Sequence, residues 1–176
     1  MANTGAITPA TVSDLSNVWS NDDNARVEDG SVAFTLVNIG NQATGYLQFT
    51  QFGFSLPPGA AIDGVVAECK AKYTNAPTNT AYVQGQLVKA GVTTGDLKDF
   101  TPILTGSLAW DSYGSSSNVW NATLSAADVN ASGFGINIRI IEFGSVTDFP
   151  GIDSCRMTIY YTFTPIPRSQ GFIIAP

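Results

Sequence analysis

The stretch Val65-Val66-Ala67-Glu68-Cys69-Lys70-Ala71-Lys72-Tyr73 decides the fold. Its odd positions are apolar and its even positions are mostly charged. Successive side chains of an extended chain point to opposite faces, so this period of two predicts a strand with one core face and one wet face. Cys69 then points inward. The same test on residues 153–163 puts Cys155, Met157, Ile159, Tyr161 and Phe163 on one face, against Ser154, Arg156, Thr158, Tyr160 and Thr162 on the other. Further strands are expected over residues 33–38, 46–52, 82–89, 104–108, 118–124 and 135–143, about eight in all.

Clusters of Gly, Pro, Asn and Asp separate these runs, as at Pro57-Pro58-Gly59, Asn75-Ala76-Pro77-Thr78-Asn79 and Gly114-Ser115-Ser116-Ser117. The one helical signal is Ser125-Ala126-Ala127-Asp128-Val129-Asn130, with Ser125 as N-cap and Asp128 closing a capping-box variant. Short strands at this spacing predict an all-β, two-sheet antiparallel β-sandwich, jelly-roll-like. Length and composition agree. The chain has 176 residues, 44% apolar and 12% charged, with 17 glycines and 9 prolines, and shows neither an internal repeat nor an interdomain linker. The expected division is a sandwich over residues 1–164, with a short extended N-terminal arm, and an extended tail over residues 165–176.

Net charge is −6, from 14 acidic and 8 basic side chains, and no window gathers Lys and Arg into a stripe. A nucleic-acid partner is not expected, because phosphate neutralisation requires such a stripe. No run reaches the ~20 apolar residues of a membrane-spanning helix, and residues 1–17 lack the basic and apolar regions of a signal peptide. A soluble protein with no membrane partner is expected. The two cysteines, Cys69 and Cys155, are too few for a disulfide framework or a four-ligand zinc site, and reduced core thiols are expected.

The chain has no histidine, which removes the commonest general base and metal ligand. No Ser-x-x-Lys spacing occurs and no phosphate-binding Gly loop is present. Most carboxylates stand where turns use them, as at Asp29-Gly30, Asp63-Gly64 and Gly95-Asp96, so a glycosidase pair is not expected. No catalytic residue, cofactor or metal is assigned. The oxygen-rich cluster Asn21-Asp22-Asp23-Asn24 with Glu28 and Asp29 reads either as Asx turns or as a calcium loop lacking the usual spacing. Trp110, Tyr113 and Trp120 read either as core anchors or as glycan-contact aromatics near one loop end.

The tail Thr164-Pro165-Ile166-Pro167-Arg168-Ser169-Gln170-Gly171-Phe172-Ile173-Ile174-Ala175-Pro176 cannot form a core of its own. It either returns as an edge strand of its own domain or docks on a neighbouring subunit. Pro165, Pro167, Phe172, Ile173 and Ile174 are the candidate partner contacts. Residues 2–11 form a second candidate arm.

Several motifs in order resemble a jelly-roll-like β-sandwich domain of tailed-bacteriophage virion proteins. They are Trp19-Ser20-Asn21 with Asn24-Ala25, Asp29-Gly30-Ser31-Val32-Ala33, the stretch Phe52-Gly53-Phe54-Ser55-Leu56-Pro57-Pro58-Gly59-Ala60-Ala61-Ile62-Asp63-Gly64, Trp120, Asp128-Val129-Asn130 leading to Phe134-Gly135, and Ile152-Asp153 before a strand ending Tyr160-Tyr161. Together they span about three quarters of the chain. The resemblance implies a structural virion protein, made in the host cytoplasm, that acts as a capsid decoration or cement subunit. Its implied partners are other copies of itself, as a homo-oligomer, and major capsid or other virion proteins. The alternative it leaves open is a tail-fibre or baseplate-associated module that binds host glycans.

Overall fold

The computed structural model describes residues 1–38, 42–73, 80–144 and 147–164. Two antiparallel sheets face each other, and the described residues hold eleven strands, three more than the alternation predicts. In the first sheet β11 (Gly151–Thr162) pairs with β6 (Ala61–Lys72), and β6 pairs in turn with β9 (Ala109–Gly114). The other edge of β11 is shared end to end by β1 (Ala2–Asn3), an isolated bridge at Ile7 and β3 (Ala33–Phe34). The second sheet runs β2 (Thr11–Asp14), β5 (Leu47–Thr50), β10 (Gly135–Phe143), β7 (Thr80–Lys89), β8 (Val92–Asp99), with β4 (Gln42–Ala43) also on β10.

The deciding stretch behaves as its alternation dictates. Val65, Ala67, Cys69, Ala71 and Tyr73 are buried, and they meet Cys155, Met157 and Ile159 of β11 and Leu47, Phe49, Val83, Leu87, Ile136, Ile138 and Ile140 of the opposite sheet. Tyr161 still packs on the core, but β11 ends at Thr162, so Phe163 lies beyond the strand and is exposed instead of inward. Cys69 and Cys155 are register partners, buried as free thiols.

Two expected strands are absent. Over residues 118–124, Trp120 and Asn121 have φ of 59° and 55°, a left-handed pair that no strand accommodates. The segment turns there and drives Trp120 into the core, where its indole N–H donates to Val65 O. Residues 104–108 carry Leu104 inward as a crossing between the sheets, and the strand begins afterwards at β9. β8 was missed because its edge position leaves no alternation to read. A two-residue turn, Ala90 (φ 52°) and Gly91 (φ 79°), sets its register on β7.

The capping box forms as expected: Asp128 N donates to Ser125 Oγ and Ser125 N donates to Asp128 Oδ2, starting α1 (Ala126–Asn130). The N-terminal arm lies on its own domain, with Thr4 N donating to Ile159 O and Ile7 exchanging two backbone hydrogen bonds with Met157. The predicted tail, residues 165–176, lies outside the described residues.

Candidate ligand-binding face

The outward face of the six-strand sheet is built from the positions opposite the inward runs: Tyr46 and Gln48 beside β5's inward Leu47 and Phe49, Gln84 and Gln86 beside inward Val83 and Leu87, and Arg139 with the covered Asn137 (5% exposed) beside inward Ile136, Ile138 and Ile140. Register lines them up across the strands. One row runs Ser13, Gln48, Asn137, Gln86, and the next runs Arg139, Gln84, Asp99. Cross-strand neighbours on one face stand close enough to interact directly.

These side chains are bonded into a ladder. Gln48 Nε2 donates to Asn137 Oδ1 (3.1 Å), Arg139 Nε to Gln84 Oε1 (2.7 Å), Gln84 Nε2 to Asp99 Oδ1 (2.8 Å) and Gln86 Nε2 to Gly95 O (2.8 Å). The Arg139 guanidinium lies over the Tyr46 ring, 4.9 Å from its centroid. Tyr82 stacks on Phe143 at 5.9 Å, and burial, with Asp99 adding, raises its phenol above the ordinary tyrosine range while Arg139 opposes. Gln48, Gln86 and Asn137 are each held at one end by a partner, which fixes the direction of the other polar edge, while Gln84 is held at both ends and fixes Arg139 in place. The surface therefore offers oriented planar donors and acceptors, the Arg139 guanidinium, and the rings of Tyr46, Tyr82 and Phe143.

The three aromatics singled out in the sequence do not share one face: Tyr113 and Trp120 meet in the core and Trp110 lies apart. Strand alternation sends Trp110 and Tyr113 to opposite faces of β9: Trp110 lies on the outer face of the five-strand sheet, beneath the Arg156 guanidinium (3.9 Å to the ring centroid), while Tyr113 packs inward against Trp120 (4.9 Å) and Phe100 (6.5 Å). Trp120 has no exposed surface and is a core residue. Around Trp110, Arg156 holds both oxygens of Glu68, and Lys70 bridges Glu28 (2.8 Å) and Asp153 (3.3 Å). Lys70 in turn holds the Glu28 carboxyl below the ordinary range. Every charge in this cluster has a partner, which describes a braced sheet surface.

The oxygen-rich loop is used internally. Asn24 Nδ2 donates to Val32 O, Asp29 Oδ1 accepts from Ser31 N, and Asp153 Oδ1 accepts from the Asp29 and Gly30 amides. No group of three Cys, Asp or Glu side chains able to hold a metal ion occurs among the described residues. A cavity of about 330 Å³ lies between Pro58, Gly59, Ala60 and the start of α1, lined by small side chains with no ionisable group. The sequence signal that would have found the six-strand face was present: Gln48, Gln84, Gln86, Asn137 and Arg139 fall on the even or odd complement of each inward run.

No family model matches this chain, and no curated protein matches it. Solved structures of similar layout exist. The CBM22-1 xylan-binding domain from Paenibacillus barcinonensis Xyn10C has 8% identity and a TM-score of 0.44 over 90% of this chain and 94% of its own. A CBM4 structure has 12% identity and a TM-score of 0.40 over 87% and 93%. The infectious bursal disease virus Gt strain structure has 10% identity and a TM-score of 0.35 over 91% of this chain and 32% of the viral one. What these share with the present chain is the β-sandwich.

Proposed function

We propose that this chain is a non-catalytic binding module whose six-strand sheet face takes a neutral, hydroxyl-rich glycan, borne on the virion of a tailed bacteriophage as a fibre- or baseplate-associated component. The observation that carries the binding half is the Gln48–Asn137 and Arg139–Gln84–Asp99 ladder. Amide and guanidinium edges fixed in direction suit paired hydroxyls, and Tyr46 and Tyr82 supply rings against which a sugar's C–H face can rest. The virion half rests on the motif resemblance. A glycan array followed by calorimetry tests the binding. Arg139→Ala should weaken the bound glycan by about tenfold or more, one lost charge-assisted hydrogen bond's worth, and Gln84→Ala should weaken it less, by freeing Arg139 from its fixed direction. Trp110→Ala should leave binding intact. Absence of any glycan ligand, or binding that depends on Trp110 and not on Arg139, would sink the reading.

The second reading is a capsid decoration or cement subunit that contacts other copies of itself and capsid proteins. Its support is what the resembling motifs do. Trp19 Nε1 donates to Gly45 O, Asn24 ties down Val32 and Asn130 holds Leu56, so these motif residues brace loops against the sandwich. A scaffold so braced suits a part whose task is to stay in place.

A further inference from the structure

The backbone around Cys69 and Cys155 fixes how closely the two thiols approach. The pair lies in an unbroken stretch of register between β6 and β11, because the two shifts fall at Ile152/Ser154 and Tyr160/Tyr161. Within that stretch Met157 exchanges two backbone hydrogen bonds with Ile7, and Ile159 bonds Thr4 through both its N–H and its C=O. Both residues thus turn their backbone groups toward the N-terminal arm and away from β6. Every second residue of a strand faces the same edge, so Cys155 turns away from β6 as well. On β6, Val65 N donates to Asn118 O on the β9 side, and the same alternation turns Cys69 toward β9 and away from β11. The two cysteines are therefore a non-hydrogen-bonded antiparallel pair. Such pairs hold their Cα atoms about 4.5 Å apart with the side chains at their closest, inside the ~4.4–6.8 Å span that a disulfide bridges. Both side chains point to the same inward face, and the small side chains of Ala67 and Ala71 flank Cys69 there.

We propose that Cys69 and Cys155 are a disulfide-forming site, a cross-strand bridge that staples β6 to β11 when the chain folds in the presence of a small-molecule disulfide. One cysteine thiolate attacks a sulfur of the small disulfide and expels one thiolate. The other cysteine then attacks the protein sulfur of that mixed disulfide and expels the second. Two S–H bonds break and one S–S bond forms, while the small disulfide takes up the two electrons and two protons and leaves as two thiols. The exchange belongs to the folding or opened chain, because in the closed one neither cysteine has exposed surface and burial pushes both thiols above the ordinary range. The same burial protects the product, since a reducing thiol cannot reach the bridge until the sheets part. The site is thus a staple set at folding. In a thiol-rich compartment the chain keeps two packed thiols, and in an oxidising one it gains a covalent tie across the strand pair that carries β1, β3 and β9. The tie closes a loop of roughly 90 residues, which restricts the unfolded chain far more than the folded one, whose register already holds both ends together. It involves neither face of the six-strand sheet and stands or falls apart from glycan binding.

Thiol–disulfide exchange on the unaltered full chain tests it. The chain is equilibrated with mixtures of reduced and oxidised glutathione, once under conditions where it folds and once in concentrated urea. Acid quenching, alkylation and intact mass then give the fraction bridged, and peptide mapping checks that the bridge joins Cys69 to Cys155. The equilibrium constant for the bridge should be at least about tenfold larger in the folded chain than in the unfolded one. By the cycle that joins oxidation to folding, the bridged protein is stabilised by that same factor, so its urea midpoint should rise while its circular dichroism spectrum stays that of the reduced chain. A ratio of one or less would show that closing the sandwich opposes the bridge. That result, glutathione left on single cysteines of the folded chain in place of the bridge, or a bridged chain that loses the sandwich spectrum would each overturn the proposal.

Discussion

Asp111 sits where its strand makes no provision for a charge. On β9 it is the register partner of Cys69, itself opposite Cys155, so two thiols and a carboxyl form one row pointing into the core. The carboxyl is 1% exposed and neither oxygen has a hydrogen-bond partner among the described residues. Burial raises its pKa to about 6. The native state therefore holds a proton there that the unfolded chain, near 3.8, has already released. Stability contributed by the protonated acid is complete below about pH 4 and is lost as pH rises through 6, for a total of about 3 kcal/mol at ~1.4 kcal/mol per unit. Asp111→Asn should remove this dependence and stabilise the protein by about 1 to 2 kcal/mol at pH 8. Urea titrations of both proteins at pH 4, 6 and 8 would show it; parallel curves at all three would mean that Asp111 titrates as an ordinary surface acid. Nothing in the sequence flagged this residue, because Trp110-Asp111-Ser112-Tyr113 mixes polar and aromatic residues on both faces and hides its period.

At the scale of elements, the legible parts are those whose burial is one-sided and complete. β6 and β10 announce themselves by alternation, and α1 by a capping box that satisfies its own first amides. The loop from Phe52 to Ala60 is different: its order comes from distant partners. Phe52 stacks on Phe54 at 5.5 Å, Phe54 meets Phe134 edge-on at 6.0 Å, and Asn130 at the end of α1 exchanges two hydrogen bonds with the Leu56 backbone, at 2.8 and 2.9 Å. The motif resemblance marked these positions without revealing that they pair. Asn130→Ala would leave the Leu56 N–H and C=O unsatisfied at a residue 3% exposed, costing about 2 to 4 kcal/mol. Asn130→Asp keeps an acceptor for the N–H, loses the donor to the C=O, and should cost less than the alanine variant at low pH, where the acid can donate. Chemical denaturation at pH 3.5 and 7 separates the two; equal losses from both variants at both pH values would argue against the paired bonds.

For the molecule as a whole, the sandwich followed from periodicity, because burial on one side of a sheet imposes a period of two wherever it acts. The positions of the six-strand face were legible by alternation, but the ladder across it was not, since that requires knowing which strands become neighbours: Gln48 and Asn137 lie far apart in sequence and become a pair only through register. The same cross-strand logic predicts how the protein opens. Cys69 and Cys155 lie on β6 and β11, the two strands that hold the first sheet together, and both thiols are fully buried and pushed by desolvation well above the ordinary cysteine range. A thiol reagent needs an exposed thiolate, so neither sulfur can react until the sheets part. Because each faces the other and the opposite sheet, parting should expose both at once. Labelling of the native protein followed by mass spectrometry should therefore show doubly modified chains with almost no singly modified intermediate. The logarithm of the labelling rate should rise with urea at the slope of global unfolding. A shallower slope, with one cysteine labelled first, would instead reveal that one strand of the first sheet frays independently, and the pair would then not belong to a single cooperative core.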